Sequence, residues 1–229
     1  MKPDMPAPRI SADSEAKGAP APRPVRFFSE ISAAATHDMK NYLAIINENA
    51  GLLQDLSLMA ANAPLDPERI KGVATKIQTQ IRRADRVMKN LNRFAHSIDR
   101  DLEVVSLEDT VTLVLELSQR VIRNRGANIT LIPPKAPIFM ETQPFLLNQV
   151  IFRAVECCCG AADGDKQAVV SFGEPVKGTE VRFIMNHISP KGLDNLFTTG
   201  EDKTLLKKLK AAINTDVNNG FALYWADLT

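Results

Sequence analysis

The sequence predicts a long antiparallel pair of α-helices followed by an α/β sandwich, and three observations carry that prediction. Two long segments repeat apolar residues at spacings of three and four, the signature of amphipathic helices. A short connection containing Pro64 separates them. From about Leu102 onward, helical and alternating segments take turns, as expected of a mixed α/β unit. The chain has 229 residues, 45% of them hydrophobic, enough for one large or two small domains with real cores. The boundaries expected are a tail at 1–25, the helical hairpin at 26–100 and the sandwich at 101–229.

In the tail, Pro3, Pro6, Pro8, Pro20, Pro22 and Pro24 alternate with Ala, Ser, Lys and Arg without periodicity. Such a stretch cannot bury enough apolar surface to offset its ordering entropy and is expected to be disordered. The first helix is expected from Ser29, a capping residue, with Glu30 complementing the dipole, to about Met59. The second has a clear start, with Asp66 as cap, Pro67 at the first helical position and Glu68 next. Its stripe of Ile70, Val73, Ile77, Ile81, Ala84, Val87 or Met88, Leu91 and Phe94 or Ala95 ends near Ile98. A helix of about 30 residues is about 45 Å long. A lone pair of that length leaves apolar surface uncovered, which predicts a two-fold homodimer whose hairpins form a four-helix bundle. Packing of the hairpin on the second half of the chain is the alternative.

In the second half, Ser106 is placed to cap a helix ending by Gly126. Strands are expected at 128–132 and 137–140, a helix at 143–159, and strands at 168–172 and 180–185. A Lys-rich helix at 203–213 and a strand at 221–226 complete the expectation. Near-balanced charge, 28 Lys and Arg against 27 Asp and Glu, argues against nucleic-acid binding. No apolar run approaches the roughly 20 residues of a membrane span and no secretory leader is read, so the expected location is the cytoplasm without a membrane partner. The three cysteines are consecutive, Cys157, Cys158 and Cys159, and neighbours on a helix point about 100° apart. They suit neither a metal cage nor a disulfide framework and read as small apolar residues in a reducing compartment.

Chemistry concentrates in the first helix, at Thr36-His37-Asp38-Met39-Lys40-Asn41. Ala35, Met39, Tyr42, Ile46 and Leu53 form its apolar stripe. His37 lies nearly opposite, beside Asn41, Ala44 and Glu48, and is expected to face solvent and partners. A histidine on such a face is ordinarily a solvated surface residue. This one is followed by an acid, then by Lys40 and Asn41 one turn on. The pattern His-acid-x-base-Asn, opening a long helix followed by another, resembles the phospho-acceptor box of two-component sensor histidine kinases. The following α/β order resembles the ATP-binding domain of the same proteins.

The resemblance implies that His37 accepts a phosphoryl group, with Asp38, Lys40 and Asn41 supporting it. It also identifies where the nucleotide motifs should lie, and there the sequence departs from the family. The paired asparagines of the family's nucleotide helix are replaced by Gln149 and Arg153, and Arg has no acceptor atom for a metal. The Asp-x-Gly-x-Gly expected after the fourth strand reads Asn186-His187-Ile188-Ser189-Pro190. After Phe197-Thr198-Thr199 the expected glycine-rich lid is replaced by Gly200-Glu201-Asp202-Lys203. Backbone approach to phosphates needs glycines or a nest of amides. The resemblance therefore implies a histidine phosphotransferase with a degenerate ATPase-like domain. It would hold no ATP and no metal of its own, with magnesium expected on the partner.

The partner implied is a response-regulator receiver domain, with an upstream kinase as a further source of phosphate. Docking is expected around His37 over the small residues Ala33, Ala34 and Ala44, with Lys207, Lys208 and Lys210 as a second contact or simply a solvated face. Two alternatives stay open. One is a divergent, ATP-dependent histidine kinase. The other is a pseudokinase scaffold or phosphatase that binds a response regulator without carrying phosphate.

Overall fold

The computed structural model describes residues 21–59, 64, 66–161, 166–173, 178–185, 196–216 and 220–226. Over these, a long antiparallel helical hairpin is followed by an α/β sandwich, the fold class read from the sequence. Most of the tail and residues 186–195, with Asn186 and His187, lie outside the described residues.

Helix α1 spans Arg23–Met59 and α2 spans Pro67–His96. The start of α1 corrects the expectation of a helix capped by Ser29. Val25 and Arg26 donate backbone N–H groups to the Pro22 carbonyl at 3.0 and 3.1 Å, so the first turn closes ahead of Ser29. Pro24 falls within that first turn, where a missing N–H costs nothing. The start of α2 is as expected, with the Asp66 carboxylate accepting from the Glu68 N–H at 3.0 Å.

A 3-10 turn at Ser97–Asp99 leads to β1 (Glu103–Ser106), and then α3 (Leu107–Asn124) begins. The Ser106 hydroxyl caps α3 by accepting from the Asp109 N–H at 3.2 Å. Next come β2 (Ala127–Leu131), β3 (Phe139–Thr142), α4 (Pro144–Ala161), β4 (Lys166–Gly173) and β5 (Thr179–Met185). Helix α5 (Gly200–Lys208) and the strands β6 (Ala211–Asp216) and β7 (Gly220–Trp225) end the described chain. Strand β1, which the sequence did not predict, pairs antiparallel with β3 as a small separate sheet. The main sheet has the order β2-β4-β5-β7-β6, with only the β2–β4 pair parallel.

The Lys-rich helix also ends earlier than expected. Lys210 adopts a left-handed backbone (φ 51°), which breaks the helix, and residues 211–216 pair with β7. The helical preference of Ala211 and Ala212 yields to a sheet partner, the usual tertiary override of propensity. Gly220 is required at its position: its φ is 130°, and an added Cβ would lie 1.9 Å from the Phe183 carbonyl oxygen.

Helices α3 and α4 cover one face of the main sheet. Val111, Val114, Leu147, Val150, Ile151 and Val155 pack there with Val170, Val181, Phe183 and Leu223, all buried. The base of the hairpin belongs to the same core. Phe27 of α1 meets Phe94 of α2 edge-on at 5.2 Å, and Phe145 and Phe152 of α4 at 5.6 and 5.0 Å. Phe28 stacks on Phe94 at 5.5 Å. Such aromatic pairs contribute about 0.5–1.5 kcal/mol each beyond their area burial. This junction holds α1 against α3 and α4 over its first four turns.

Cys157, Cys158 and Cys159 lie in the buried part of α4. Burial pushes all three thiols up, Cys158 furthest. A raised folded value means that the native chain keeps thiol protons which the unfolded chain loses above about pH 8.5. Stability on this account is unaffected below that pH and falls above it. Ellman's reagent at pH 8 is expected to find no fast thiol in the native protein and all three after denaturation. Fast modification of the native protein would show that the α4 core opens readily.

Candidate functional site

The acceptor stretch lies on the third turn beyond Phe27, where α1 leaves the aromatic junction and runs under α3. Ile31, Ala34 and Ala35 are buried there, so the covered face is broader than the stripe through Ala35 and Met39 implied. Two expectations are corrected by this packing. His37 is not open to solvent but half-covered, its side chain 42% exposed. Ala34 is buried and offers no docking surface, whereas Ala33 and Ala44 are exposed.

The His37 ring is held on two sides. Asn41, one turn on, places its amide nitrogen 3.1 Å from Nδ1. Asp38 stands 3.7 Å from the same nitrogen, too far for a hydrogen bond. The other Asp38 oxygen is 3.7 Å from an Arg123 guanidinium nitrogen of α3. Lys40 is exposed and makes no ion pair among the described residues.

The second side comes from α3. Arg120 presents one guanidinium nitrogen to the ring edge, 2.9 Å from Nε2 and in closer contact with Nδ1. Nε2 therefore has Arg120 as its neighbour, whereas Nδ1 is also engaged by α1 itself. Arg120 was missed by sequence reasoning because 83 positions separate it from His37. The one available signal was the polar row Glu116, Arg120 and Arg123 along one face of an amphipathic helix.

Beside Asp38, α1, α2 and α3 enclose a groove of about 710 Å³ lined by Asp38 and Tyr42, by Arg82, Arg83 and Arg86, and by Glu116 and Arg123. Glu116 accepts from the Asn90 amide at 2.5 Å and lies 3.9 Å from Arg86. Arg82 and Arg83 have no acidic partner among the described residues. The groove is cationic, with one edge formed by the helix that carries His37.

The second group singled out in the sequence lies on α4, at the far side of the junction. Gln149 is buried at 4% exposure. Arg153 is consumed internally: its Nε donates to the fully buried Asp202 at 3.3 Å, and a terminal nitrogen lies 3.6 Å from Glu156. Its guanidinium also rests 5.9 Å from the centre of the Phe197 ring. Arg23 of α1 pairs with the same Asp202, and Phe27 packs on Phe152. Asp202 further closes a capping box with Thr199 at the start of α5. Burial and the neighbouring Arg153 hold the Arg23 guanidinium below its ordinary value. Burial, reinforced by Glu156, pushes the Glu30 carboxyl up. Lys207, Lys208 and Lys210 are exposed, away from this cluster.

Asp202 thus neutralises two arginines in a buried setting. Asp202→Ala is expected to cost about 3–5 kcal/mol, because Arg23 loses its closest carboxylate and Arg153 is left with Glu156 alone. Arg26→Ala, which breaks the exposed pair with Glu201 at 3.4 Å, is expected to cost less than about 1 kcal/mol. Urea denaturation of the two variants makes the comparison, and equal costs would contradict it.

No protein-family model matches the sequence, and no curated protein matches it. Among solved structures, the chain is similar to histidine kinase AdeS of Acinetobacter baumannii, with 11% identity and a TM-score of 0.46 over 79% of this chain and 96% of that one. It is also similar to the catalytic domain of histidine kinase ThkA, with 14% identity and a TM-score of 0.45 over 56% of this chain and 96% of that one. The cytoplasmic segment of histidine kinase QseC gives 18% identity and a TM-score of 0.40 over 64% of this chain and 95% of that one. At these scores the likenesses assign neither an activity nor a partner to this chain.

Proposed function

We propose that the chain is a phosphorelay histidine phosphotransferase, in which His37 exchanges a phosphoryl group with receiver-domain aspartates of response regulators. The observation that carries this reading is the setting of His37. Nδ1 is engaged by its own helix through Asn41, and Arg120 of α3 contacts both ring nitrogens, next to a groove rich in arginine that begins at Asp38. A neutral imidazole nitrogen is a competent nucleophile. In the forward step the Nε2 lone pair attacks phosphorus of the partner's aspartyl phosphate. The N–P bond forms as the acyl-phosphate P–O bond breaks, and that electron pair leaves on the aspartate oxygen. The Nδ1 proton is then held by Asn41, turned to present its amide oxygen, and is released to solvent. Asp38 offsets the positive charge that develops on the ring.

On this reading, phosphate comes from another protein and not from ATP. Arg153 supports it. By the family resemblance this residue stands where an asparagine would help hold the nucleotide's magnesium, but it has no acceptor atom and is committed to Asp202 and Glu156. Arg23 and Phe27 of α1 pack over the same face of α4. This donor set does not fit a magnesium nucleotide. Any divalent cation needed for transfer belongs to the partner's acidic site.

The hairpin at about 26–100 would be the phosphotransfer domain and residues 101–229 a degenerate ATPase-like domain. A homodimer is part of the proposal, because Leu43, Leu58, Ile81 and Met88 are more than half exposed on the hairpin of a single chain. A second hairpin would cover them in a four-helix bundle. Among the described residues no helix is long and apolar enough to cross a membrane.

The test is phosphate transfer from a phosphorylated receiver, with and without ATP. Acid-labile, alkali-stable label is expected on the wild-type chain without nucleotide and is expected to vanish in His37→Ala. Labelling by ATP alone would restore the kinase reading. Undiminished transfer to His37→Ala would sink the proposal, and no transfer to the wild-type chain would favour a scaffold.

A further inference from the structure

We propose that Arg120 is the phosphoryl-binding residue of this site, supplied across the chain by α3, and that it masks His37 until a phosphoryl group draws it away. The inference rests on the phosphotransfer reading and adds to it a catalytic residue which the acceptor pattern on α1 does not contain. Three observations carry it. Arg120 reaches both ring nitrogens at once with a single guanidinium nitrogen, closer to Nδ1, so a cation already lies against the ring where a phosphoryl group would be carried. It makes no ion pair with a carboxylate among the described residues, whereas Arg123 on the next turn faces Asp38 and Arg86 faces Glu116. The neighbouring groove, which begins at Asp38, is cationic through Arg82 and Arg83.

A guanidinium lying against both ring nitrogens obstructs the approach of phosphorus to the ring. An arriving phosphoryl group offers the same N–H donors anionic oxygens, so a contact between a cation and a neutral ring is exchanged for one between opposite charges. The planar fork of arginine also matches two phosphoryl oxygens at once. Arg120 therefore exchanges the ring for the phosphoryl oxygens, which frees Nε2 at the moment the phosphorus comes within reach. When the group returns to a receiver aspartate, the guanidinium closes on the ring again.

The experiment uses the full chain phosphorylated chemically with potassium phosphoramidate, a small phosphoryl donor that needs no receiver. Phosphohistidine at His37 is followed by 31P NMR in the wild type, Arg120→Ala and Arg120→Lys, with His37→Ala as the blank. The wild-type 31P resonance is expected to be displaced from that of free phosphohistidine. Arg120→Ala is expected to return it to the free value, and Arg120→Lys to leave it between the two. Transfer from a phosphorylated receiver is expected to slow at least about tenfold in Arg120→Ala, the scale of losing one anion-stabilising donor, and to recover partly in Arg120→Lys. Folding of each variant is checked by its urea midpoint, since Arg120 is only partly buried. An Arg120→Ala resonance and transfer rate equal to wild type would overturn the proposal while leaving His37 as a relay point. Failure of phosphoramidate to label wild-type His37 would overturn it as well. Chemical labelling without any receiver transfer would instead count against the phosphorelay reading alone.

Discussion

The arrangement of this chain depends on the aromatic junction at the base of its hairpin. Phe27 is the centre of it, touching Phe94 of the hairpin and Phe145 and Phe152 of the sandwich at ring separations of 5.0–5.6 Å. Along the two helices, of 37 and 30 residues, polar contacts such as Arg23–Asp202 and Asn90–Glu116 add further ties to the α/β unit. Through the junction, the hairpin base and the sandwich share one hydrophobic core. The helix carrying His37 is thereby fixed in rotation against α3. A turn of α1 by one residue, about 100°, would carry His37 away from Arg120 altogether.

The same packing separates two sites that the family resemblance would couple. On one side of the junction, α1 and α3 bring a histidine and an arginine together. On the other, the start of α1 lies against α4, and Arg23 with Arg153 encloses Asp202 in a buried ion-pair cluster. Buried charges of this kind rarely add net stability but are costly to leave unpaired. Arg153 is therefore committed to Asp202 and Glu156, a use different from binding a nucleotide. The side chain that departs most from the family pattern has a structural task of its own in this fold.

Much of the fold was legible because local chemistry announced it. Asp66-Pro67-Glu68 and Ser106 marked helix starts that their caps then made, and alternation located β4 and β5 to within two residues. The misses have a common physical origin in partners distant along the chain. Strand β1 is four residues long and exists because β3 pairs with it. Residues 211–213 carry helix-forming side chains yet extend as β6 because β7 lies alongside. At the site, His37, Asp38 and Asn41 were found because one helical turn joins them. Asp38 proved to stand at 3.7 Å, while Asn41 makes the closer contact from the same helix. The covering arginine was invisible because only tertiary packing brings it there. Asn186 lies outside the described residues, so the part of the degenerate pocket it was assigned to has no structural account.

The account makes the aromatic junction responsible for the meeting of His37 and Arg120, and the His37 ring nitrogens report on that meeting directly. Their 15N chemical shifts, measured in wild type, Arg120→Ala and Phe27→Ala, separate the possibilities. Phe27→Ala, which removes no group within reach of the ring, is predicted to move the shifts in the same direction as Arg120→Ala, towards a solvated imidazole. Shifts in Phe27→Ala that match wild type, in a chain that remains folded, would contradict the account.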